Sequence, residues 1–313
     1  MNDSSVSVAN LTKKYGNFKA VDNVSFDLEG TGAFAYLGQN GAGKTTTFKM
    51  MTGLITQTAG KVLIDGIDIA RERTKALNRI GALIETPEPY SSLSVKEAIQ
   101  LVGALKNMKR SDILDHMENF GKRVQMPDQN RKVGTLSRGQ RARVVFVAAF
   151  LGNPEIIFLD EPTNGMDPAE RKIIRDVILD WKKDHMILMS SHLLQEVSDT
   201  CEEVLLINKG KLVLREKTRE LESRYNSKSL KVEYMAPVDM IKLSDILSSE
   251  TNSVEPQTNK SAIIYFDGVL QTRARILRDL QALGDVITFS EYGSSLEEAF
   301  VDLIGDKQTV DPS

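Results

Sequence analysis

The sequence has little cysteine, little net charge and no long hydrophobic run, and each absence excludes a class of protein. Its single cysteine, Cys201, excludes an internal disulfide and indicates a reducing compartment. The formal net charge of −3 lacks the excess of Lys and Arg that general binding to nucleic acid phosphates needs. The longest apolar stretch, Val144 to Leu151, has eight residues, whereas a membrane-spanning helix needs about 20. We therefore expect a cytoplasmic protein that acts at a membrane only through another chain.

The remaining composition is that of a folded protein. Hydrophobic residues make up 41% and charged residues 27% of the 313 positions, which is enough for a sizeable core and gives no sign of wholesale disorder. This length suits one large or two ordinary domains. The polar start, Met1 to Ser5, does not resemble a secretory signal peptide. Because no basic neighbour in the sequence activates Cys201, we expect a small buried residue rather than a catalytic thiol.

The central motif is Gly38 to Thr45, which has the GxxxxGK[ST] spacing of a phosphate-binding loop. Its glycines at 38, 41 and 43 are expected to take positive φ, so that successive N–H groups point into one concavity. A helix after the loop would add its positive N-terminal end. Lys44 would then reach the β- and γ-phosphates, and the Thr45 hydroxyl would contact Mg²⁺. We therefore predict a nucleotide site.

The context of the loop favours this prediction over a chance glycine-rich turn. Ala33 to Leu37 is an apolar run typical of a buried strand. Thr46 to Leu54 has apolar residues spaced for one face of a helix. Tyr15, an aromatic residue shortly before the loop, would either stack on a base or serve only as a packing residue.

Further along, two predicted strands deliver polar residues to one sheet edge. Ile156 to Leu159 is followed by the acids Asp160 and Glu161, and Met186 to Met189 is followed by a Ser-Ser-His segment that ends at His192. In an open α/β sheet, ligands bind at the carboxyl ends of the strands. We therefore expect these side chains near the phosphate loop.

Two helix starts carry capping signals that matter for the same region. Ser137 is predicted to cap a helix that runs to Leu151, leaving free N–H groups and a positive dipole end to meet an anion. Asp167 is predicted to cap another helix, with Pro at the first helical position and Glu170 at the third.

The order of these elements predicts an α/β protein in two domains. Residues 1–219 would form a mixed sheet with an antiparallel β arm, interrupted by an all-helical insert at about residues 86–140. Within it, the pattern is helical throughout from the N-cap Ser94 to about Gly121. Residues 220–313 would form a small α+β domain with a last helix capped by Ser294. His116 and His185 are expected to be solvated surface residues.

Five further motifs follow the phosphate loop, and together they resemble the ATPase subunit of ABC transporters over about residues 6–215. They are Leu136–Gln140, Ile156–Glu161, Asn164–Asp167, Ser191-His192 and the loop at Glu85. The resemblance implies a P-loop NTPase fold of the ABC cassette type that binds ATP and Mg²⁺ and hydrolyses ATP. It also implies a head-to-tail dimer, with itself or a homologous ATPase subunit, that drives a separate permease at the inner face of the plasma membrane.

The resemblance also implies a role for each matching residue. Tyr15 would stack on adenine, Glu161 would polarise the attacking water, and His192 would contact the γ-phosphate, with Lys44 as the third catalytic residue. Thr45, Asp160 and Glu85 would be at Mg²⁺, and Asp167 would bridge the two subunits. The phosphates would be held by Gly38, Gln39, Asn40, Gly41, Ala42, Gly43, Lys44, Thr45 and Thr46, and the γ-phosphate of the second subunit's nucleotide by Ser137, Arg138, Gly139 and Gln140.

Three positions depart from the usual family pattern. Arg138 stands where glycine is usual, and its guanidinium is either solvated or in contact with nucleotide or interface. Met166 stands where leucine is common, a volume-conserving change that we expect to be neutral. Glu85 stands where a metal-touching glutamine is common; a carboxylate could ligate Mg²⁺ but would repel the γ-phosphate. Glu85 and the segment Ser295–Phe300 resemble the ABC-2 type branch that contains bacitracin-type and other drug or peptide exporters.

The leading hypothesis is an exporter motor for a drug, peptide or lipid-like molecule, in which Thr86 to Leu93 and the helical insert dock onto the permease. One alternative is a soluble ABC ATPase of translation or DNA repair. One phosphate loop and no heptad run between Lys44 and Ser137 argue against it, and no nucleic acid partner is expected. The other alternative is a non-catalytic, nucleotide-gated regulator. The intact catalytic positions argue against it, whereas Glu85 keeps it open.

Overall fold

The computed structural model describes residues 4–85, 91–224 and 228–292. The chain divides into two compact units, residues 1–218 and residues 219–313. Each unit is described by itself.

The first unit is built on a mostly parallel sheet whose strands end beside each other. The strands of the whole unit, in this sheet and in a separate antiparallel arm, are β1 (Ser5–Tyr15), β2 (Phe18–Glu29), β3 (Gly32–Leu37), β4 (Ala59–Ile64), β5 (Ile67–Asp68), β6 (Ile80–Leu83), β7 (Ile156–Asp160), β8 (Met186–Ser191), β9 (Glu203–Asn208) and β10 (Lys211–Lys217). The sheet order is β10-β9-β3-β8-β7-β6, with only β10 antiparallel to its neighbour. Every residue of β3, β7 and β8 is buried, which confirms the predicted buried strands.

The register of this sheet places the phosphate loop, the two acids and the histidine segment at one edge. Leu37, the last residue of β3, pairs with Ser191 at the end of β8. Asp160, the last residue of β7, pairs with Ser190. Because all three strands are parallel, the segments that follow them leave the sheet on the same side.

An antiparallel arm packs next to the sheet through a line of aromatic rings. The arm has the strand order β2-β1-β4-β5. Ring centroids lie 6.0 Å apart for Phe26 and Tyr36, 5.9 Å for Tyr36 and Phe48, and 6.0 Å for Phe48 and Phe158. These rings connect the arm, β3, the helix after the phosphate loop and β7 in one buried core, which fixes the base of the loop.

The helices of this unit are α1 (Lys44–Met51), α2 (Arg73–Arg79), α3 (Val95–Leu105), α4 (Arg110–Arg123), α5 (Arg138–Ala149), α6 (Pro168–Trp181) and α7 (Leu194–Thr200), and α8 (Thr218–Arg224) begins at the last residue of the unit and continues into the second. Helices α3, α5 and α6 begin where they were predicted, whereas α7 and α8 were not predicted. Helix α1 starts earlier than predicted and ends at Met51, because Gly53 has a φ of 67°. The expectation that Leu54 lies on its buried face was wrong, since Leu54 is 57% exposed.

The insert is broken into two helices, so the expectation of a pattern that is helical throughout was wrong. Helix α3 ends at Leu105, and Asn107 takes a φ of 55° before α4 begins. The Nζ atom of Lys106 donates to the carbonyl oxygens of Leu151, at 2.9 Å, and Ile80, at 3.3 Å. Burial lowers the pKa of Lys106. These tertiary contacts hold the chain in a turn that local sequence does not signal.

Both histidines expected at the surface are in fact half-buried against aromatic rings, so that expectation was wrong. His116 stacks on Phe120 at 5.0 Å and its Nε2 lies 3.1 Å from a backbone carbonyl oxygen of α5. His185 stacks on Trp181 at 4.5 Å and its Nδ1 lies 3.0 Å from the Pro154 carbonyl oxygen. Cys201 is buried, as predicted, and burial raises the pKa of its thiol.

The second unit has a βαββαβ order over its described residues. Its elements are β11 (Ser229–Tyr234), α9 (Met240–Leu247), β12 (Thr251–Pro256), β13 (Ser261–Phe266), α10 (Leu270–Gln281) and β14 (Val286–Glu291). The antiparallel sheet order β12-β13-β11-β14 is that of a ferredoxin-like fold. Helix α9 and strand β12 were missed by the sequence analysis, and the predicted helix from Ser294 lies outside the described residues.

Across the described ranges, no helix is long and apolar enough to cross a membrane.

Candidate functional site

The phosphate loop gets its shape from its three glycines, in two different ways. Gly41 and Gly43 have φ values of 81° and 109°, as predicted. Gly38 does not take positive φ, so that part of the prediction was wrong. It is required for close approach instead, because a Cβ there would lie 2.5 Å from the Ile207 carbonyl oxygen on β9. The loop thus packs closely against the sheet at Gly38, and a Cβ on Gly43 would lie 2.6 Å from the Ala20 carbonyl oxygen, so its end is closely packed as well.

Lys44 and the start of α1 provide the positive charge of the loop. Gly43 is the N-cap of α1 and no side chain caps the helix, so its first N–H groups remain available to an anion. Lys44 is only 5% exposed, and its Nζ donates to the carbonyl oxygens of Gly38, at 2.8 Å, and Gln39, at 3.3 Å. The same Nζ lies 3.3 Å from Glu161 Oε1. The ammonium group therefore lies between the loop and the carboxylate.

The two acids at the end of β7 face different surroundings. Asp160 is 5% exposed, and its Oδ1 accepts a 2.5 Å hydrogen bond from the Ser190 hydroxyl on the neighbouring strand. Glu161 has a left-handed φ of 48°, and its N–H donates to both the Oγ and the carbonyl oxygen of Ser190. This backbone turn directs the Glu161 side chain away from the strand and toward Lys44.

Three donors surround the Glu161 carboxylate. Besides Lys44 on Oε1, Asn164 Nδ2 donates to Oε2 at 3.1 Å, and His192 Nδ1 lies 3.3 Å from the same oxygen. No separate role was predicted for Asn164, although it lies inside the Asn164–Asp167 motif. The carboxylate is thus oriented by residues from α1, from its own loop and from the end of β8.

Two open cavities lie along the phosphate loop. The first, of about 360 Å³, is lined by the aromatic residues Tyr15 and Phe18, by Ala20, Asn40, Gly41, Gly43, Lys44, Thr45 and Thr46, and by Glu161. Tyr15 is 53% exposed there, with Lys13 Nζ 5.2 Å from its ring centroid. Phe18, 64% exposed, was missed by the sequence analysis. Exposed aromatic rings beside a phosphate loop suit the stacking of a base.

The second cavity, of about 310 Å³, contains the predicted metal-binding side chains. It is lined by Asn40, Thr45, Leu83, Glu85, Arg138, Ala142, Val145, Asp160, Glu161, Pro162 and Asn164. Glu85 also forms a 2.5 Å ion pair with Lys49 Nζ, a partner that the sequence analysis missed. Among the described residues, no cluster of three or more His, Cys, Asp or Glu side chains could hold a metal by itself. Thr45, Asp160 and Glu85 bring oxygen atoms to this cavity, and oxygen is the ligand type that Mg²⁺ prefers.

The predicted signature residues form the start of α5. Ser137 and Gln140 make a complete capping box, with hydrogen bonds of 3.2 Å in both directions. A Cβ on Gly139 would lie 2.4 Å from Glu170 Oε2, so α5 and α6 approach closely there. Arg138 lies against the loop after Glu161, since a Cβ on Gly165 would lie 2.9 Å from its guanidinium.

Asp167 is the N-cap of α6, as predicted. Its Oδ1 accepts a 2.9 Å hydrogen bond from the Glu170 N–H, and the Glu170 side chain completes a capping box. Arg143 Nη2 on α5 lies 3.1 Å from Glu170 Oε1. The Asp167 side chain is therefore committed to its own helix in this structure.

The comparisons with known proteins agree with this geometry. The sequence model of the ABC transporter family matches residues 21–164. The ABC transporter ATP-binding protein YhcH of Bacillus subtilis is 33% identical over 301 residues, 95% of each chain. The bacitracin transport ATP-binding protein BcrA of Bacillus licheniformis is 30% identical over 304 residues, 96% of this chain and 97% of that one. A dimeric structure of the cassette MJ0796 bound to ADP and Pi has a TM-score of 0.64 at 24% identity, covering 68% of this chain and 99% of that one.

The chain therefore belongs to the ATP-binding proteins of ABC transporters, with relatives in the ABC-2 type branch. Its fold is that of an ABC cassette, and it is an ATPase coupled to transport. The alignments with YhcH and BcrA, at 301 and 304 residues, are longer than the first unit of 218 residues, so they extend into the second.

Proposed function

We propose that this protein is the motor of an exporter, in which two cassettes close head-to-tail on ATP and drive a separate membrane subunit. The observation that carries the proposal is the Glu161 carboxylate, held by Lys44, Asn164 and His192 beside the phosphate loop. Phosphoryl transfer to water needs positioning and charge stabilisation more than covalent chemistry. The carboxylate, the Lys44 ammonium group and the His192 imidazole beside it supply both.

Each residue would act in the hydrolysis of ATP to ADP and phosphate. The N–H groups from Gly41 to Thr46 and the start of α1 would bind the phosphates, and Lys44 would move from Glu161 to the β- and γ-phosphates. Glu161 would then be free to orient the attacking water and accept its proton, with His192 at the γ-phosphate. Thr45, Asp160 and Glu85 would hold Mg²⁺, which neutralises charge on the phosphates when bound.

The signature residues support the proposed action across a dimer. Ser137, Gly139 and Gln140 are not among the described residues that line the two cavities at the phosphate loop. We propose that they bind the γ-phosphate held by a second copy or a homologous subunit, and that Asp167 bridges the subunits. Arg138 lines one of these cavities, and we propose that its guanidinium also faces the second subunit's nucleotide when the dimer closes.

The proposed partner is a permease that places the protein at the cytoplasmic face of the plasma membrane. The residues proposed to dock are Thr86 to Leu93, of which the structure describes 91–93, and the insert, where α3 exposes Leu101 and Leu105. The direction of transport and the class of cargo, a drug, peptide or lipid-like molecule, rest on relatives named for transport of bacitracin and of a lantibiotic. The last of these, SrtF of Streptococcus pyogenes, is 32% identical over 227 residues.

Turnover of two variants tests the proposed hydrolytic site. We expect Glu161→Gln and His192→Ala to lower phosphate release by about a hundredfold or more, since each removes a group at the reacting water or γ-phosphate. Binding of a fluorescent ATP analogue should stay within about threefold of wild type. Wild-type turnover in Glu161→Gln would contradict the proposal.

A further inference from the structure

Glu196 connects the two segments that reach the Glu161 carboxylate. It lies in the first turn of α7 and is half-buried. Its Oε1 accepts a 2.6 Å hydrogen bond from the Thr163 hydroxyl, and its Oε2 accepts a longer one, 3.4 Å, from the Ser191 hydroxyl. Thr163 belongs to the loop that begins at Glu161, and Ser191 directly precedes His192. One side chain therefore joins both segments.

The two hydroxyl donors are shielded from water, which makes this connection more rigid than a surface contact. Thr163 is 6% and Ser191 3% exposed. The Ser191 Oγ also accepts a 2.9 Å hydrogen bond from the Leu193 N–H, which fixes the turn into α7. The Ser191 hydroxyl has two acceptors at 3.4 Å, Glu196 Oε2 and the Leu193 carbonyl oxygen, whereas the Thr163 hydroxyl donates to Glu196 Oε1 at 2.6 Å. Because a buried hydroxyl that loses its acceptor is costly, the Thr163 bond is the stronger constraint on the Glu196 carboxylate.

The contacts form a closed circuit around the hydrolytic site. Thr163, two residues after Glu161, donates its hydroxyl hydrogen bond to Glu196. Glu196 also accepts from the hydroxyl of Ser191, the residue before His192. The Nδ1 atom of His192 lies 3.3 Å from the Glu161 carboxylate, which closes the circuit. Glu196 thus influences the position of His192 relative to Glu161 through Thr163 and Ser191. In the part of the chain that the structure describes, Glu196 itself forms no hydrogen bond or ion pair with Glu161 or His192.

We propose that Glu196 is a positioning residue for ATP hydrolysis, which keeps His192 and Glu161 at their working separation through Ser191 and Thr163. This inference rests on the proposed roles of Glu161 and His192. Only the geometry of the transition state depends on that separation, so Glu196 should affect the chemical step more than the binding of ATP. Misplacement by about 1 Å can cost about a hundredfold in rate.

The same helix offers a matched control. Asp199 lies one turn further along α7, where its carboxylate pairs with Arg175 Nη1 at 2.7 Å and accepts from Gln195 at 3.0 Å. Replacement of Asp199 removes a carboxylate and its hydrogen bonds from α7 without touching either segment at Glu161. Its effect on the stability of α7 should resemble that of Glu196 replacement, whereas its effect on turnover should not.

The experiment measures kcat, KM for ATP with Mg²⁺, and Tm for Glu196→Ala, Glu196→Gln, Thr163→Val and Asp199→Ala. We expect Glu196→Ala to lower kcat by about ten- to a hundredfold with KM within about threefold of wild type. Glu196→Gln should recover kcat to within about threefold, because its amide oxygen can accept from Thr163 and its NH₂ group can donate to Ser191 Oγ. Asp199→Ala should leave kcat unchanged, and the double variant of Glu196→Ala with Thr163→Val should be no slower than the worse single variant.

The outcomes separate this inference from the proposed function. Wild-type kcat in Glu196→Ala, or an equal loss of kcat in Asp199→Ala, would overturn the positioning role. If Glu196→Ala does not fold, the isosteric Thr163→Val carries the test, and unchanged kcat there would overturn it too. If Glu161→Gln and His192→Ala hydrolyse ATP like wild type, the proposed site itself fails, whatever the Glu196 variants do.

Discussion

Glu85 is one of two residues at which this chain differs in charge from the usual family pattern, and Lys49 offsets its negative charge. The carboxylate shares a cavity with Asp160 and Glu161, where a third negative charge would repel the γ-phosphate. Lys49 Nζ lies 2.5 Å from Glu85 Oε1, with the two side chains 28% and 59% exposed. The pair leaves the cavity nearly neutral at this point, which weakens the case for a non-catalytic regulator.

Removal of Lys49 should therefore weaken ATP binding through the unpaired Glu85. We expect Lys49→Met to raise the Kd for ATP by about two- to fivefold, a modest effect because the pair is solvent-exposed, while the Kd for ADP changes less. Glu85→Gln in the same chain should restore ATP binding, since it removes the repelling charge. Fluorescence titration of ATP and ADP measures these Kd values. A double variant that binds ATP more weakly than Lys49→Met does would show that Lys49 does not act by neutralising Glu85.

His116 gives a second prediction at the level of single residues, in the pH dependence of stability. Burial lowers the pKa of His116 in the folded protein, and the charge of Lys106 lowers it further. The hydrogen bond between its Nε2 and a carbonyl oxygen raises the pKa, but by less than burial lowers it. Near pH 6.5, the ordinary pKa of histidine, the unfolded chain thus binds more protons than the folded one. The free energy of unfolding should therefore fall as the pH drops through this range.

His116→Gln should reduce that pH dependence, because glutamine does not titrate. Urea unfolding of wild type and variant at pH 7.5 and pH 5.5 measures the difference, with the exposed His192→Gln as control. An undiminished loss of stability at pH 5.5 in His116→Gln would assign the dependence to other groups.

At the scale of elements, the helix starts were the features most predictable from sequence. Ser94, Ser137 and Asp167 were each predicted as N-caps, and each forms a complete capping box with the residue three positions on. Capping is a local interaction between neighbours in the chain, so local sequence specifies it. The buried parallel strands were predictable for a similar reason, because both faces are covered and the apolar run is continuous.

The elements that sequence did not reveal depend on distant contacts. The break between α3 and α4 is held by Lys106 against the carbonyl oxygens of Ile80 and Leu151. The burial of His116 depends on an aromatic cluster drawn from α4, α5 and α6. The role of Gly38, close approach to Ile207, likewise depends on a strand far along the chain. None of these has a local signature.

The helical insert carries a prediction about the membrane partner. Leu93 precedes α3, and its carbonyl oxygen accepts from the Val133 N–H at 2.9 Å, so the backbone is held there independently of the side chain. We expect Leu93→Glu to lower co-sedimentation with native membrane vesicles by about tenfold while phosphate release in solution stays unchanged, since a charge in an apolar contact is costly. Leu54→Glu, at an exposed leucine outside the insert, is the control. Unchanged co-sedimentation of Leu93→Glu would contradict docking at this surface.

At the scale of the whole molecule, the chain combines an ABC cassette with a second unit of βαββαβ order. The solved cassette structures cover about 68–70% of the chain, whereas YhcH and BcrA align with it over 95–96%. The sequence indicated a small α+β domain here but not α9 or β12. The segment Thr251–Pro256 shows only weak alternation of apolar and polar residues and ends in proline, so its sequence does not predict a strand. Its strand conformation depends on pairing with β13.

The catalytic account depends on two copies of the molecule meeting across ATP. Two places in one chain are proposed to bind phosphate: the loop Gly38 to Thr46, and the start of α5 at Ser137. The loop residues Lys44 and Thr45 line a cavity with Glu161, whereas Ser137 is not among the described residues that line either cavity at the loop. A head-to-tail dimer would bring the second to the nucleotide of the partner, and hydrolysis would release it. Opening and closing of this kind is the mechanical step that a membrane subunit can use.

Light scattering of Glu161→Gln with ATP and Mg²⁺, compared with wild type and with the same variant in ADP, tests this account. We predict that the variant binds ATP, releases almost no phosphate and doubles its mass only when ATP is present, because the closed dimer cannot be opened by hydrolysis. Adding Ser137→Arg, which puts a bulky cation at the start of α5, should return it to a monomer without loss of ATP binding. A Glu161→Gln protein that stays monomeric in ATP and hydrolyses it at the wild-type rate would contradict both the role of Glu161 and the closed dimer.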